Sequence, residues 1–200
     1  MRVIVACEFS ATVRDAFGRE GHDAWSCDIR PTEGDPKHHY QMDIFECLEG
    51  SGPWDLMIAH PSCQYLANSG VRWLYSDDER WKRMIEGGAF FRRLLEYDIP
   101  RIAVENPVIH NWAKMVIGRK ADQVLQPWMF GDKETKAVCL WLKGLHPLEP
   151  WITDKPENVE ARVHKMAPGP DREKERSRFF PGMARAMAEQ WGAAQKGQNL

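Results

Sequence analysis

The sequence predicts an α/β fold in which helices cover both faces of a doubly wound, mostly parallel sheet. Short apolar runs recur between longer amphipathic stretches, which is the pattern of such a sheet. Polar or reactive residues directly follow four of these runs. Because ligands bind beyond the carboxyl ends of the strands in a doubly wound sheet, we expect one ligand site at that edge of a Rossmann-like fold.

Three strands and one helix are predicted in the first third of the chain. Residues 2–7 (RVIVAC) are expected to form a buried first strand, and residues 12–19 the helix that follows, with Ser10 as its N-cap. A second strand is predicted over residues 23–28 (DAWSCD). Residues 55–60 (DLMIAH) predict a third, more apolar strand.

A long helix and two further strands are predicted in the middle of the chain. Residues 76–79 (SDDE) have the form of a capping box, and apolar residues recur at helical spacing over 81–95. The glycine pair at 87–88 weakens this helix and predicts close packing against the sheet. Residues 101–105 (RIAVE) predict a fourth parallel strand, and residues 137–142 (AVCLWL) a later strand.

One domain accounts for the 200 residues. Residues 1–146 are expected to form its catalytic and cofactor-binding α/β part. Residues 147–181 are rich in proline and charge with little periodicity, so we expect a loop-rich segment that contacts substrate. A final helix is predicted from 183 to about 195, within a closing helix and tail of the same domain at 182–200.

Composition favours an ordinary cytoplasmic protein. The formal net charge is −2, whereas a protein that holds duplex DNA mainly by charge is usually basic. The five cysteines contain no CxxC pair, and the histidines have no ligand spacing, so we expect neither disulfides nor a metal site. No run approaches the ~18 apolar residues of a membrane span, and no membrane partner is expected.

Four predicted strands lead into residues that can bind or react. These residues are, in chain order, Glu8-Phe9-Ser10, Asp28, His60-Pro61-Ser62-Cys63 and Glu105-Asn106-Pro107. Each group alone is unremarkable. Because the carboxyl ends of parallel strands meet at one edge of the sheet, together they predict a single site.

Cys63 is the candidate nucleophile of that site. Pro61 ends the preceding strand, and the polar stretch after it presents a thiol on a loop. The alternative is a small buried hydrophobic residue. A phosphatase-type loop is disfavoured, because it requires arginine at position 69, where the chain has Ser69.

Three acidic residues are candidates for holding ligands. Glu105 ends an apolar run and needs a partner there: it either pairs with a neighbouring arginine or holds the polar edge of a ring and shares a proton with it. Asp28 and Asp43 stand where ribose hydroxyls are commonly bound, although each could instead cap a helix or a turn. No GxGxxG follows the first strand, which disfavours a dinucleotide cofactor.

At these positions the chain resembles the cytosine carbon-5 methyltransferase family, specifically small, phage-like DNA cytosine methyltransferases without a full target-recognition domain. Residues 55–64 (DLMIAHPSCQ) resemble the family's Pro-Cys-Gln nucleophile loop, with Ser62 where a second proline is usual. Residues 105–107 (ENP) resemble its Glu-Asn-Val triplet, and residues 8–10 (EFS) its Phe-x-Gly cofactor turn. The order agrees over roughly residues 1–145.

The resemblance implies a sheet of the S-adenosylmethionine-dependent methyltransferase type, with S-adenosylmethionine as the cofactor. The implied cofactor contacts are Glu8, Phe9, Ser10, Asp28, Asp43 and Pro61. Ala11 stands where the family has a glycine. Residues 130–142 resemble the family's Gln-x-Arg-x-Arg strand, but both arginines are missing and Lys136 is the basic substitute. Residues 182–192 correspond to the helix that closes over the methionine end of the cofactor.

The resemblance also implies a mechanism. The Cys63 thiolate adds to carbon 6 of cytosine while Glu105 hydrogen-bonds nitrogen 3 and the exocyclic amine. Carbon 5 then takes the methyl group and loses its proton as Cys63 is expelled. The implied catalytic residues are Cys63, Glu105, Asn106 and Lys136.

The substrate stays open, because only residues 147–181 stand where family members that read duplex DNA carry a large recognition domain. The candidate substrate-binding residues are Gln64, Tyr65, Arg162, Arg176 and Arg178. Interleaved acids also fit a solvated charged loop. Three alternatives follow: cytosine in DNA, single-stranded or presented with a partner's help; a free cytidine nucleotide or RNA cytosine; and a catalytically idle domain that binds nucleic acid or S-adenosylmethionine as a regulator. The oligomeric state is not indicated.

Overall fold

A mostly parallel sheet forms the centre of the protein in this computed structural model, which describes residues 1–169 and 172–193. Within those residues the sheet has seven strands: β1 (Arg2–Ala6), β2 (Asp23–Asp28), β3 (His39–Gln41), β4 (Leu56–Ala59), β5 (Ile102–Asn106), β6 (Gln123–Leu125) and β7 (Val138–Lys143). Their order across the sheet is β3-β2-β1-β4-β5-β7-β6. Strands β1 to β5 pair in parallel, whereas β7 runs antiparallel to β5 and β6. The predicted α/β class and doubly wound sheet are confirmed.

Helices cover both faces of this sheet. The α-helices are α1 (Thr12–Arg19), α2 (Ile44–Gly50), α3 (Asp78–Leu95), α4 (Asn111–Ile117), α5 (Arg162–Lys165), α6 (Arg172–Ser177) and α7 (Pro181–Ala193), and 3-10 helices span Pro36–His38, Asn68–Ser76 and Pro127–Phe130. Helices α1 and α7 pack on one face, and α2, α3 and α4 on the other. Side chains alternate along a strand, so Val3 and Val5 contact the first helix pair while Ile4 and Ala6 contact the second group.

The predicted element bounds agree well with the structure. Helix α1 and strand β2 begin and end where the sequence predicts, and the other four predicted strands match within one residue at each end. Helix α3 begins three residues earlier than the periodicity indicates, and α7 begins two earlier. The predicted end of the last helix near 195 and the tail to 200 lie outside the described residues.

The start of α1 corrects the predicted cap. Ala11, not Ser10, holds the N-cap position, and it does so in the left-handed region with φ of 60°. The helix N-terminus is instead satisfied by the side chain of Glu8, which accepts hydrogen bonds from the backbone N–H groups of Val13 and Arg14. Ser10 contributes a long contact of 3.4 Å from the backbone nitrogen of Thr12 to its Oγ.

Two further details of α3 differ from the prediction. The cap is Asp77, which accepts a hydrogen bond from the backbone N–H of Glu79 at 2.9 Å, one residue later than the predicted Ser76. The close approach allowed by Gly88 is to Val116 of α4 and not to the sheet: a Cβ at Gly88 would lie 2.7 Å from Val116 Cγ1. Helix–helix packing therefore explains this glycine.

The segment at 147–181 packs on the same core as the sheet. Its secondary structure consists of the short helices α5 and α6 and a bridge between Glu134 and Glu160, with residues 170 and 171 outside the described part. Leu148, Val163 and Phe179 are buried in the apolar cluster that includes α1 and α7. In the described part of the chain, no helix combines the length and the apolar character that crossing a membrane requires.

Candidate active site

The carboxyl ends of β1, β2, β4 and β5 open into one cavity of about 1570 Å³. It is lined by fourteen of the residues singled out from the sequence: Glu8, Phe9, Ser10, Asp28, Asp43, Pro61, Cys63, Gln64, Tyr65, Glu105, Asn106, Lys136, Arg176 and Arg178. Arg162 does not line it; its side chain lies 3.8 Å from Glu134. The sheet thus brings the predicted residues to one place, as parallel strand ends require.

Cys63 lies on the loop after β4 and is exposed to the cavity. The backbone N–H groups of Leu66 and Ala67 donate to its carbonyl oxygen at 3.1 and 2.9 Å, which fixes the turn that presents the thiol. Protein groups on the remaining sides displace water and raise the pKa of this thiol. Lys136 and Arg176 act in the opposite direction, because their positive charge favours the thiolate.

Glu105 is almost fully buried at the end of β5, and its partner is a histidine. Its Oε2 lies 3.1 Å from Nδ1 of His60, which follows the neighbouring strand β4. The predicted alternative of an arginine partner is therefore wrong. The other ring nitrogen of His60 is buried without a hydrogen-bond partner among the described residues, and the ring lies 4.7 Å from that of Phe179. His60 thus contacts Glu105 and also packs against Phe179 of the segment at 147–181.

Asn106 connects β5 to the nucleophile loop. Its Nδ2 donates to the carbonyl oxygen of Pro61 at 2.8 Å, which fixes the loop two residues before Cys63. Its Oδ1 is buried and has no hydrogen-bond partner within the described chain. Asn106 therefore positions the loop, and its free oxygen can still accept a hydrogen bond.

The turn between β1 and α1 is strained and carries a buried carboxylate. Cys7 and Ala11 both adopt positive φ, 58° and 60°, which costs about 1–2 kcal/mol for each non-glycine residue. Between them, Glu8 accepts from Val13 N at 2.7 Å and from Arg14 N at 3.2 Å. Burial raises the pKa of Glu8, and His60 and these two N–H groups counteract the rise. Glu8 therefore occupies the anion position at the N-terminus of α1.

The two acids predicted to bind a nucleoside both lie at the cavity wall with part of their hydrogen-bonding capacity used locally. Asp28 Oδ1 accepts from Arg30 N at 2.9 Å. Asp43 caps α2 by accepting from Phe45 N and Glu46 N, so its predicted alternative as a helix cap is confirmed.

Two apolar residues beside these acids were not found from the sequence. Ile29 follows Asp28 and is 75% exposed, and Met42 precedes Asp43 and is 38% exposed. Both line the cavity. An apolar residue that stays exposed in a cavity is available to a flat ring. The only signal in the sequence was their position beside acids at predicted strand ends.

The basic residues of the cavity differ in how they are engaged. Lys136 precedes β7 and lies 5.5 Å from the ring centroid of Phe180. Arg178 donates to Glu33 through two nitrogens, one of them at 2.8 Å from Oε1, and also to Glu175 at 3.1 Å. Its charge is thereby largely committed within the protein.

The substrate candidates on the nucleophile loop are tied to α3. Tyr65 accepts a hydrogen bond from Arg83 Nη1 at 3.0 Å through its hydroxyl, and the guanidinium of Arg80 lies 5.2 Å from its ring. The backbone nitrogen of Gln64 lies 3.4 Å from Ser62 Oγ.

Within the described residues, no group of three His, Cys, Asp or Glu side chains could hold a metal ion.

His60 stands among the residues that follow the predicted strands, but its contact with Glu105 was not predicted. Phe179 and Arg83 also line the cavity and were not found from the sequence. Phe179 and Arg83 come from elements far apart in the sequence. No local pattern marks them, because only tertiary packing brings them to the cavity.

Comparisons with known proteins give matches among solved structures. No protein-family model matches the sequence, and no curated protein matches it. A protein from a prophage of Escherichia coli, assigned as a DNA modification methyltransferase, is 19% identical with a TM-score of 0.46; the match covers 71% of this chain and 46% of the other. The methyltransferase EhMeth of Entamoeba histolytica is 14% identical with a TM-score of 0.48, over 84% of this chain and 60% of the other. The chain thus spans about half the length of the solved structures that it matches.

Proposed function

We propose that this protein is an S-adenosylmethionine-dependent methyltransferase that methylates carbon 5 of cytosine, in DNA, through a covalent adduct of Cys63. The observation that carries the proposal is the meeting of Cys63, Glu105 and Lys136 in one cavity with the acid-bearing ends of β1 and β2. A nucleophile, a proton donor and a cation on one side face a nucleoside-type subsite on the other. Covalent pyrimidine methylation needs both halves.

The cofactor half of the cavity fits S-adenosylmethionine. Glu8 fills the anion position at the N-terminus of α1, so a cofactor with a pyrophosphate at that place would meet a carboxylate instead of free N–H groups. S-adenosylmethionine has no phosphate and carries positive charge. Asp28 can accept from its ribose hydroxyls, and the exposed side chains of Ile29 and Met42 can enclose its adenine ring.

The other half of the cavity supports attack on a pyrimidine. Cys63 forms a bond from its Sγ to carbon 6 of cytosine, while Glu105 hydrogen-bonds nitrogen 3 and donates a proton there. The cofactor supplies an electrophilic methyl group for carbon 5. Carbon 5 then gives its proton to water, the electrons of that bond re-form the ring double bond, and the bond to Sγ breaks so that Cys63 leaves as the thiolate. Nitrogen 3 returns its proton to Glu105, which restores the carboxyl group. Lys136 supports the thiolate, and Asn106 and His60 hold the loop and the carboxyl group in place.

A second candidate substrate is a free cytidine nucleotide or an RNA cytosine, methylated by the same chemistry. Arg176 favours it, because this side chain lines the cavity and can neutralise a single phosphate. A catalytically idle, ligand-binding domain is the third candidate. The raised pKa of Cys63 favours it, since a thiol is a poor nucleophile.

A trapping experiment tests the three candidates. The protein is incubated with labelled S-adenosylmethionine and 5-fluorocytosine, which is placed in duplex DNA, in single-stranded DNA and in a free nucleotide. We expect a covalent adduct with DNA that Cys63→Ser abolishes and that Ser62→Ala, the neighbouring exposed residue of the same loop, retains. If only the free nucleotide reacts, the substrate is a cytidine nucleotide and not DNA. Absence of both an adduct and cofactor binding would overturn the enzyme proposal.

A further inference from the structure

Four aromatic residues form an exposed surface on α3, α4 and the 3-10 helix Asn68–Ser76. This aromatic surface consists of Trp73, Tyr75, Trp81 and Trp112. Trp73, Tyr75 and Trp112 are 51%, 69% and 40% exposed. Trp81 lies edge-on to Tyr75 and to Trp112, with ring centroids 6.1 and 5.5 Å away, and Trp112 Nε1 donates to the Tyr75 hydroxyl at 3.0 Å. Tyr75, Trp81 and Trp112 thus hold one another in place, and Trp73 lies two residues before Tyr75 on the same 3-10 helix. Trp81 is half-buried, whereas the other three side chains are exposed.

Core packing does not explain these exposed rings. On the same elements, Leu74 and Met84 are fully buried and supply the contact with the core. Trp73 and Tyr75, on either side of Leu74, are directed to solvent instead. Contiguous exposed apolar side chains mark interaction sites on soluble proteins. The aromatic surface is therefore a candidate interaction site.

The elements that carry the aromatic surface also line the cavity that contains Cys63: Glu79 and Arg83, on either side of Trp81 in α3, are cavity residues. The 3-10 helix begins with Asn68, Ser69 and Gly70, which line the cavity, and ends beside Tyr75. At ~2 Å rise per residue, Gly70 and Tyr75 are separated by about 10 Å. That distance corresponds to about three stacked nucleotides of one strand at ~3.4 Å each. Neighbours of a base in the cavity would therefore reach the surface.

The charges around the aromatic surface are of mixed sign. Arg72 lies 4.7 Å from the ring centroid of Trp73, and Arg80 and Lys82 are close by on α3. Asp77 caps α3, and Glu79 pairs with Arg83 at 3.2 Å. Cations and acids nearly balance, as they do in the whole chain with its net charge of −2. Stacking must then supply more of the affinity than phosphate contacts.

We propose that the aromatic surface binds the unpaired nucleotides that flank the target cytosine, so that the substrate is single-stranded DNA. This inference rests on the proposed function, because that function places the target base in the cavity. Bases stack readily on aromatic side chains when their faces are free. In a duplex those faces are covered by neighbouring base pairs, and a free nucleotide has no flanking bases to offer.

Binding of labelled twelve-nucleotide strands by the full chain tests the proposal. Single-stranded DNA, single-stranded RNA and duplex DNA are compared by fluorescence anisotropy at two salt concentrations. We expect single strands to bind more tightly than the duplex, with a shallow salt dependence. Trp73→Ala and Tyr75→Ala should each weaken single-strand binding roughly tenfold, because each removes one stacking platform. Tighter binding of the RNA strand than of the DNA strand would overturn the assignment of DNA as the bound strand.

Trp151→Ala is the matched control, because Trp151 is 39% exposed but packs against Phe130 in another part of the chain. It should leave strand binding unchanged. Equal binding by wild type and by both aromatic variants, with circular dichroism unchanged, would overturn the proposal. So would sedimentation showing that the wild type is a dimer and that the variants are monomers, since a second copy would then cover the surface.

The two proposals fail separately. If the wild type traps 5-fluorocytosine and the aromatic variants bind strands as the wild type does, the methyltransferase proposal holds and the stacking proposal is wrong. If the variants weaken strand binding but no substrate forms an adduct, the enzyme proposal is wrong and the stacking proposal holds. Loss of the oligonucleotide adduct in Trp73→Ala, with cofactor binding retained, supports both.

Discussion

The reactivity of Cys63 is set by charges that only the folded protein brings together. Glu105 lies near the end of β5, Lys136 precedes β7 and Arg176 lies in α6. Burial is the largest influence and raises the pKa of the thiol; Glu105 raises it further, while Lys136 and Arg176 lower it. The thiolate fraction therefore increases with pH and depends on residues far away in the sequence.

The rate at which iodoacetamide alkylates Cys63 should depend on these charges. In Lys136→Met the pKa of Cys63 rises further, so alkylation at a fixed neutral pH should be slower than in the wild type. In Glu105→Gln the pKa falls, so alkylation should be faster. Mass spectrometry of the peptide that contains Cys63, over a series of pH values, measures both rates.

Lys133→Met provides the control for the lysine variant, because Lys133 is exposed and does not line the cavity. It should alkylate like the wild type. Identical pH profiles for Lys136→Met, Glu105→Gln and the wild type would contradict the electrostatic account of this thiol.

His60 should act as a positioning residue for Glu105. Replacement by phenylalanine removes the 3.1 Å contact to the carboxyl group while keeping a flat ring against Phe179. A carboxyl group that is free to rotate loses its alignment with the substrate, and misplacement by about 1 Å can cost about a hundredfold. We expect single-turnover methyl transfer at saturating cofactor concentration to slow by roughly 10- to 100-fold.

His60→Gln distinguishes positioning from a merely structural role. The glutamine amide can still donate a hydrogen bond to Glu105, so this variant should recover part of the rate that His60→Phe loses. If both variants transfer methyl groups at the wild-type rate, Glu105 does not depend on His60.

At the residue scale, the sequence identified the reactive side chains but not the residues that contact them in the folded protein. Cys63 and Glu105 stand out because each follows an apolar run at a predicted strand end. The pairing of Glu105 with His60 depends on register: Ala59 of β4 lies beside Val104 of β5, which places the next residues side by side. A single sequence carries no signal for that register.

The two adjacent glycines of α3 should respond in opposite ways to alanine. At Gly88 the new Cβ would lie 2.7 Å from Val116 Cγ1, and such overpacking costs ~1–3 kcal/mol. At Gly87 the nearest atom would be Leu66 Cδ2 at 3.6 Å, so the gain in helix propensity of about 1 kcal/mol should prevail. Urea unfolding should therefore show a lower free energy of unfolding for Gly88→Ala and a higher one for Gly87→Ala.

A double variant identifies the cause of the Gly88 effect. Combining Gly88→Ala with Val116→Ala removes the nearest clashing atom, Cγ1 at 2.7 Å, and leaves Val116 Cβ at 2.9 Å. The double variant should therefore lose less stability than the sum of the two single losses. Strict additivity would show that the contact between α3 and α4 is not what disfavours alanine at position 88.

At the element scale, the length of a helix or strand determines whether the sequence predicts it. Strand β2 and helices α1 and α3 have clear apolar periodicity, and their positions were predicted closely. Strands β3 and β6 have three residues each, too few for alternation to register. Strand β3 forms because residues 39–41 pair with β2, and His39 lies there with Nδ1 2.8 Å from Ser26 Oγ. Such elements are created by tertiary pairing.

At the scale of the whole molecule, ion pairs connect the segment that contains α6 to the loop after β2. Glu33 pairs with Lys174 at 2.8 Å and with Arg178. These cations lower the pKa of Glu33, with Lys174 as the largest cause. Because the folded-state pKa is depressed, this stabilisation is fully present above the ordinary pKa of a glutamate and is lost as pH falls through the lowered value.

Replacing Glu33 should loosen this segment without unfolding the sheet. The side chains are partly exposed, so we expect a small change in global stability and a clear change in local opening. Glu33→Gln should speed trypsin cleavage within residues 172–178 at neutral pH. High salt should accelerate cleavage of the wild type toward the rate of the variant, because exposed ion pairs are screened.

Glu157→Gln serves as the control, since Glu157 is another exposed glutamate of the loop-rich segment. It should be cleaved like the wild type. Hydrogen exchange of residues 172–178 checks the pH dependence: wild type and Glu33→Gln should converge in acid and differ at neutral pH. A difference that persists in acid would assign the effect to something other than the charge of Glu33.

The packing of α7 on α1 has a consequence for the order of events during synthesis. Phe17 of α1 and Met187 and Trp191 of α7 share one apolar cluster, yet about 160 residues separate the two helices along the chain. At ~5–20 residues per second, roughly 10 to 30 s pass between the appearance of α1 and that of α7. For that interval α1 covers this face of the nascent sheet without α7. The turn that holds Glu8 therefore gains its full support only after α7 has left the ribosome.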